Sequence, residues 1–158
     1  MCIRDRANIS LNHLEIESRD PKRLAKFYSN VMDMKINMLT NKKFLCEGPG
    51  RKIIIKTGEN NTLGYAGMVC KNEENLERYK EFLKINKCEI NDFVSEFYQT
   101  GSFSLQDPDN NMICFGVLKK ENNFLTKGIY APLQHLTFAS KDVERFQNFY
   151  QRKIFQKF

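Results

Sequence analysis

An internal repeat constrains the fold of this chain more than any other feature of its sequence. Residues 11–36 align without a gap with residues 133–158, and nine of the twenty-six aligned positions are identical. The identical pairs are Leu11/Leu133, His13/His135, Leu14/Leu136, Ser18/Ser140, Asp20/Asp142, Arg23/Arg145, Phe27/Phe149, Tyr28/Tyr150 and Lys35/Lys157. A segment that recurs at this length predicts a repeated structural unit. Because its second copy stops at Phe158, we expect the last unit of this sequence to be truncated.

Composition limits what this repeat can build. Hydrophobic residues make up 41% of the 158 residues, which is enough to bury a core and argues against disorder. No apolar run approaches the roughly 18–20 residues that a membrane-spanning helix needs. The net charge is +6, but acidic residues are spread among the lysines and the chain has no tryptophan for base stacking. We therefore expect a folded domain with a solvated, lysine-rich surface and neither a nucleic-acid nor a membrane partner.

The cysteines and the N-terminus bear on the compartment and on the extent of the native fold. The chain has five cysteines, an odd number, and no Cys-x-x-Cys pair, which indicates reduced thiols and a cytoplasmic protein. Residues 1–7 match nothing in the repeat, so we expect them to be a non-native leader that takes no part in the fold.

The first copy of the repeat predicts a strand followed by a capped helix. Polar and apolar residues alternate over 11–18, which predicts a strand with His13 and Leu14 on opposite faces. Asp20 followed by Pro21 is the usual pattern of a helix N-cap and first helical residue. The apolar face predicted for this helix consists of Leu24, Phe27, Tyr28 and Val31.

The remaining pattern predicts a second unit of the same order. The predicted strands of the first unit continue at 34–39, 43–47 and 51–57, and those of the second unit lie at 63–71, 89–97, 102–106 and 112–119. Asn72 begins the helix of the second unit, and an Asp-Pro-Asp-Asn-Asn turn at 107–111 precedes its last strand. The sequence thus predicts an α+β fold of paired β-α-β-β-β modules, with curved mixed sheets, helices outside and a truncated third module.

This order of elements also predicts the domain boundaries. We expect residues 8–120 to form one domain of two paired modules, with a linker over 121–132. Residues 133–158, with a strand at 133–140 and a helix capped by Asp142, would then begin a second domain.

The repeated motif resembles that of a known superfamily. Its most specific parts are His-Leu-x-[Ile/Phe]-x-Ser-x-Asp with Phe-Tyr downstream, and Ser-Phe-Ser-Leu-Gln-Asp-Pro-Asp-Asn-Asn at 102–111. Together they resemble the vicinal oxygen chelate superfamily, which includes glyoxalases, antibiotic-resistance proteins and type I extradiol ring-cleavage dioxygenases. Asn110 stands where its members usually have Gly, and Asn is the next-best residue for a left-handed backbone. The resemblance implies metal ligands on the first and last strands of paired modules.

The first two modules depart from that ligand pattern. His13 fits the first-strand position, and we expect Glu15 and Glu17 to keep its strand face wet. Tyr65 replaces the corresponding first-strand ligand of the second module. The last strands offer no carboxylate over 52–56 and Cys114 in place of a glutamate, and we expect Cys114 to be a packing residue rather than a nucleophile. One ligand out of four predicts a first pair without metal.

This departure favours the type I extradiol dioxygenases within the superfamily. The resemblance implies that their third module supplies the first of two histidines, a position at which His135 falls beside small Thr137 and Ala139. It implies Fe(II), or less often Mn(II), in the complete protein and none in this chain alone. An aromatic diol and O₂ would be the substrates, and the full-length protein would be a homo-oligomer. No catalytic residue is assigned.

Two other functions stay open from the sequence. The first is a lyase or isomerase of the glyoxalase type, in which a metal stabilises an enediolate. The second is a non-catalytic small-molecule-binding module, which the replaced ligands at Tyr65 and Cys114 and the truncation keep open.

Overall fold

The fold is given by a computed structural model that describes residues 9–119 and 130–154. The predicted leader at 1–7 and most of the predicted linker, residues 121–129, lie outside the described residues. The elements are β1 Ile9–Ser18, α1 Pro21–Met32, β2 Lys35–Thr40, β3 Lys43–Gly48, β4 Arg51–Thr57, β5 Thr62–Cys70, α2 Glu73–Ile85, β6 Asn91–Asp92, β7 Phe103–Gln106, β8 Met112–Gly116, α3 Val143–Phe149 and a π-helical segment Tyr150–Ile154. The two predicted β-α-β-β-β modules are therefore present as β1 to β4 and β5 to β8.

The eight strands form one mixed sheet in the order β2-β3-β4-β1-β5-β8-β7-β6. From the middle outward, both halves contain the first, last, third and second strand of their module. β1 pairs with β4 in parallel, whereas β2 with β3, β3 with β4 and β7 with β8 are antiparallel. The predicted α+β class and the repeat are confirmed at the level of topology. No helix in the described ranges has the length and apolarity needed to cross a membrane.

The described chain divides into two compact units. The first-module unit comprises residues 12–66 and 130–133, and the second-module unit comprises residues 9–11, 67–119 and 134–154.

In the first-module unit, α1 covers one face of its strands. The core is formed by Ala25, Met34, Phe44, Cys46, Ile53 and Ile55, with Ile16, Leu24, Tyr28 and Ile36 packed against it. The predicted apolar helix face is too wide, because Phe27 is 52% exposed and Val31 is 65% exposed. The spacing of apolar residues marks a stripe of the helix, but the sheet contacts only the part of that stripe near Ala25 and Tyr28.

In the second-module unit, α3, the second copy of the repeat helix, packs against the same core as α2. That core includes Met68, Leu76, Tyr79, Leu83, Phe103, Leu105, Phe115 and Ile154, with Phe149 and Tyr150 packed against it. The Tyr79 hydroxyl donates a hydrogen bond to the Ile154 carbonyl at 3.2 Å.

Several identities of the repeat are explained by the same hydrogen bonds in both copies. The Asp20 side chain accepts from the Arg23 backbone N–H at 3.0 Å and thereby caps α1. The Ser18 hydroxyl accepts from the backbone N–H of Asp20 at 3.1 Å. Ser140, Asp142 and Arg145 repeat both bonds at 3.2 and 3.0 Å. The predicted N-caps Asp20, Asn72 and Asp142 are all confirmed.

Two predicted strands are wrong in extent or in kind. The strand expected at 89–97 is reduced to Asn91–Asp92, which pair with β7 only at Ser104 and Phe103. The segment 133–140 forms no strand. A β-strand exists only where another strand pairs with it, and no strand in the described part of the chain pairs with 133–140. Alternation of polar and apolar residues predicts which side chains share a face. It does not show whether a neighbouring strand is available for hydrogen bonding.

Candidate functional site

Three of the four ligand positions implied by the resemblance come together in the first-module unit. His13 lies in β1, and its parallel partner in β4 is Lys52. The ring of Tyr65, in β5, lies edge-on to His13 with a centroid distance of 5.5 Å. The first-strand and last-strand positions implied by the resemblance therefore lie side by side. Their side chains are the imidazole of His13, the ammonium group of Lys52 and the phenol of Tyr65.

His13 is fully buried and electrostatically opposed to a cation. Its Nδ1 lies 3.1 Å from the side-chain oxygen of Asn12. Burial, together with the positive charges of Lys52 and Lys43, lowers the pKa of His13 to about 4. The imidazole is therefore neutral at neutral pH. The same two ammonium groups would repel a divalent ion at this position.

The glutamates on the face of His13 are engaged by lysines. Glu15 is only 6% exposed, so the prediction that it keeps this face wet is wrong. Its carboxylate lies 2.9 Å from the Lys56 ammonium and 3.2 Å from that of Lys43. Glu17 lies 3.3 Å from Lys56, and these carboxylates raise the pKa of Lys56 chiefly through the hydrogen bond with Glu15.

A third carboxylate completes this arrangement. Glu47 in β3 lies 4.0 Å from the Lys52 ammonium and accepts a hydrogen bond from the Asn37 amide. Burial lowers the pKa of Lys52, and the charge of Glu47 opposes that shift. We call the set the lysine-glutamate face, and its members are Glu15, Glu17, Lys43, Glu47, Lys52 and Lys56. Charged residues four positions apart in β3 and in β4 were the signal in the sequence, but their partners in β1 depend on the strand register.

The fourth ligand position, Cys114 in β8, lies in the second-module unit. It is fully buried, as are its neighbours Ile113 and Phe115. The buried Tyr98 hydroxyl lies 3.5 Å from the Cys114 carbonyl and donates to the Met68 carbonyl at 3.0 Å. These surroundings agree with the packing role predicted for Cys114. No pattern in the sequence marks Tyr98 as a buried residue, because it lies in an irregular segment without periodicity.

The other described cysteines are also free thiols with little reactivity. Cys46, Cys70, Cys88 and Cys114 form no disulfide. Burial raises the pKa of Cys46 to about 11 and that of Cys70 to about 12, so neither is a thiolate at neutral pH.

His135 lies in different surroundings from His13. It is exposed, as are Thr137 and Ala139, whereas Leu136 and Phe138 are half-buried. The Phe138 ring packs on the rings of Phe146 and Tyr150, at centroid distances of 6.0 and 6.4 Å. The predicted division of faces is thus present in the burial pattern, although the segment is not a strand.

The described residues do not by themselves fit a divalent cation. Within residues 9–119 and 130–154, no group of three or more His, Cys, Asp or Glu side chains is arranged to hold a metal ion. The glutamates beside His13 are bound to lysines, and His135 brings a single donor.

The comparisons identify the family. The sequence model of the Glyoxalase/Bleomycin resistance protein/Dioxygenase superfamily matches residues 10–115. The chain belongs to this superfamily, which confirms the resemblance found in its motifs. No curated protein matches the sequence.

Solved structures with this fold include catechol and homoprotocatechuate dioxygenases. A catechol 2,3-dioxygenase is 15% identical over 89% of this chain and 57% of its own, with a TM-score of 0.71. A halotolerant catechol dioxygenase is 15% identical over 92% of this chain and 54% of its own, with a TM-score of 0.77. Homoprotocatechuate 2,3-dioxygenase from Arthrobacter globiformis is 13% identical over 77% of this chain and 40% of its own, with a TM-score of 0.65. The chain thus spans about half the length of these relatives, and the likeness concerns the fold.

Proposed function

We propose that this chain is the N-terminal part of an extradiol-type dioxygenase that cleaves catecholic aromatic rings with O₂. Membership of the superfamily supports the proposal, as do solved structures of the same fold that are named as catechol and homoprotocatechuate dioxygenases. The full-length protein would bind Fe(II), or less often Mn(II), act in the cytoplasm and form a homo-oligomer.

The proposal divides the work between two parts of the chain. Residues 8–120 form a supporting domain, 121–132 a linker, and residues from 133 onward begin the catalytic domain. His135 supplies one metal ligand, and the others come from outside the described residues. A metal held by two imidazoles and one carboxylate keeps neighbouring positions open for a diol and for O₂.

The contrast between the two aligned histidines carries the proposal. His13 is buried under the positive charges of Lys43 and Lys52, which disfavour a metal ion. His135 is exposed beside Thr137 and Ala139, whose small side chains leave room for further ligands and a substrate. Only the second position of the repeat is therefore open to a metal.

The test compares His135→Ala with His13→Gln in the full-length gene product. We expect His135→Ala to remove bound iron and ring cleavage together, because the remaining ligands hold Fe(II) weakly. His13→Gln should keep most of both. The measurements are iron content after dialysis and the coloured product formed from catechol analogues under air. Retention of iron and turnover by the His135 variant would contradict the assignment.

A small-molecule-binding module without metal is the second candidate. The lysine-glutamate face favours it, because Lys52 directly opposite His13 replaces a ligand position by a cation. A full-length protein that carries no metal and cleaves no diol would support it. A full-length protein that binds a metal but needs no O₂ would instead support a lyase or isomerase of the glyoxalase type.

A further inference from the structure

The two copies of the repeat helix differ in what they contact. In the second-module unit, Arg145 near the start of α3 donates a hydrogen bond to the Pro108 carbonyl at 2.6 Å. Its guanidinium also lies 3.7 Å from the carboxylate of Asp109. The hydroxyl of Tyr150, just after α3, donates to the Asp107 carboxylate at 3.0 Å. One helix of the repeat thus docks on the acidic turn at 107–111.

Hydrogen bonds within residues 107–111 hold this acidic turn in one conformation, in which it can accept hydrogen bonds from other side chains. The Asp107 carboxylate accepts from the backbone N–H groups of Asp109 and Asn111, both at 2.9 Å. It also accepts from the Asn111 side chain at 2.8 Å. Asn110 has the left-handed backbone predicted for it, with φ of 67°. The turn therefore presents carboxylates and a carbonyl in a geometry that its own hydrogen bonds hold in place.

In the first-module unit, the equivalent side chains of α1 lack such a partner. Arg23, the counterpart of Arg145, is exposed, and its side chain makes no hydrogen bond or ion pair within the described ranges. Phe27 is 52% exposed, whereas its counterpart Phe149 packs against a core. The hydroxyl of Tyr28 makes no hydrogen bond to any described residue.

We propose that this side of α1 is a docking surface for a second acidic turn of the type seen at 107–111. The α1 face, as we call it, consists of Arg23, Phe27 and Val31. Its occupant would be the corresponding Asp-Pro-Asp turn of a fourth module, so the inference rests on the proposed function, in which a second module pair follows.

Symmetry and charge lead to this occupant. If one two-fold operation relates the two module pairs, every contact between them has a symmetry mate. The contact of α3 with the turn of the second module then requires a contact of α1 with the turn of the fourth. Arg23 would supply the cation that Arg145 supplies in the observed contact, and Phe27 with Val31 the apolar area. Val31 is 65% exposed, which suits a surface that is covered in the complete protein.

The experiment compares the same substitutions in two lengths of protein, the 158-residue chain and the full-length gene product. Arg23→Ala should leave the urea midpoint of the 158-residue chain unchanged, since that side chain is exposed. Phe27→Ala should lower it only slightly, since the ring is 52% exposed and its described ring contact is with Tyr28. In the full-length protein both substitutions should accelerate amide hydrogen exchange in α1 by about tenfold. Lys22→Ala is the matched control, because Lys22 is exposed on the opposite flank of α1 and should change neither protein.

A positive control comes from the observed contact. Arg145→Ala should lower the urea midpoint already in the 158-residue chain, because its partner turn is present there. Equal exchange rates in α1 of the full-length wild type and its Arg23 and Phe27 variants would overturn the proposal. So would a dimer of the 158-residue chain that Phe27→Ala dissociates in light scattering, since the occupant would then be a second copy. The readouts do not depend on iron or turnover, so the dioxygenase proposal can fail without this one.

Discussion

Replacing Glu15 by glutamine should destabilise the first-module unit more than any other change of a single charge in the lysine-glutamate face. Among the three described carboxylates of this face, that of Glu15 contacts two ammonium groups, those of Lys56 at 2.9 Å and Lys43 at 3.2 Å. Glutamine keeps the length and shape of the side chain. The substitution therefore tests the charge and not the packing.

The exposure of the three groups sets the expected magnitude. The Glu15 side chain is 8% exposed, so removing its charge approaches the removal of one partner from a buried pair, which costs about 3–5 kcal/mol. The side chains of Lys43 and Lys56 are 26% and 36% exposed, so both ammonium groups can turn toward water and recover part of that cost. We expect the free energy of unfolding to fall by about 2 kcal/mol.

Urea denaturation of the 158-residue chain measures this loss, and we expect the midpoint to fall by about 1 M. Glu59→Gln is the matched control, because Glu59 also pairs with a cation, Arg19, but its side chain is 72% exposed. The control should lose less than about 0.5 kcal/mol. An equal loss in the two variants would show that burial of the Glu15 pair contributes nothing and would refute the reasoning.

Two further predictions concern His13. Its folded-state pKa of about 4 lies below the unfolded value of 6.5, so the unfolded chain binds more protons between these values. Stability that is present above pH 6.5 should therefore decline as the pH falls toward 4, by up to about 3 kcal/mol, and His13→Gln should flatten this part of the urea-midpoint profile; an unchanged profile would count against burial as the cause. The 158-residue chain should also bind Fe(II) no more tightly than a surface histidine does, because Lys52 lies opposite His13. Micromolar binding in calorimetry that His13→Ala abolishes would contradict this.

The lysine-glutamate face surrounds positions at which the resemblance implies metal ligands. The strands that would carry the ligands are present, and the paired positions of His13 and Tyr65 are in ring contact. Lys52 neutralises Glu47 and opposes a cation at the same place.

Local chemistry along the chain was sufficient to predict most elements and the N-terminal starts of the helices. Asp20 and Asp142 cap their helices through bonds to residues three positions away, and such bonds are visible in the sequence as short motifs. The repeat itself predicted that two β-α-β-β-β modules would share one topology, which the strand order confirms. The division of faces at His135 and Phe138 follows from alternation alone.

Only the tertiary structure decided which surfaces are covered and which charges meet. The burial of Glu15 depends on lysines in β3 and β4, whose register with β1 is a property of strand pairing across the sheet. The exposure of Phe27 and the partial burial of Phe149 distinguish two helices of the same motif, because among the described residues only α3 has an acidic turn beside it. The segment 133–140 has the alternation of a strand and lacks the neighbour that would make it one. Sequence patterns specify how a side chain faces relative to its own backbone, whereas burial and pairing depend on residues that are distant in the chain.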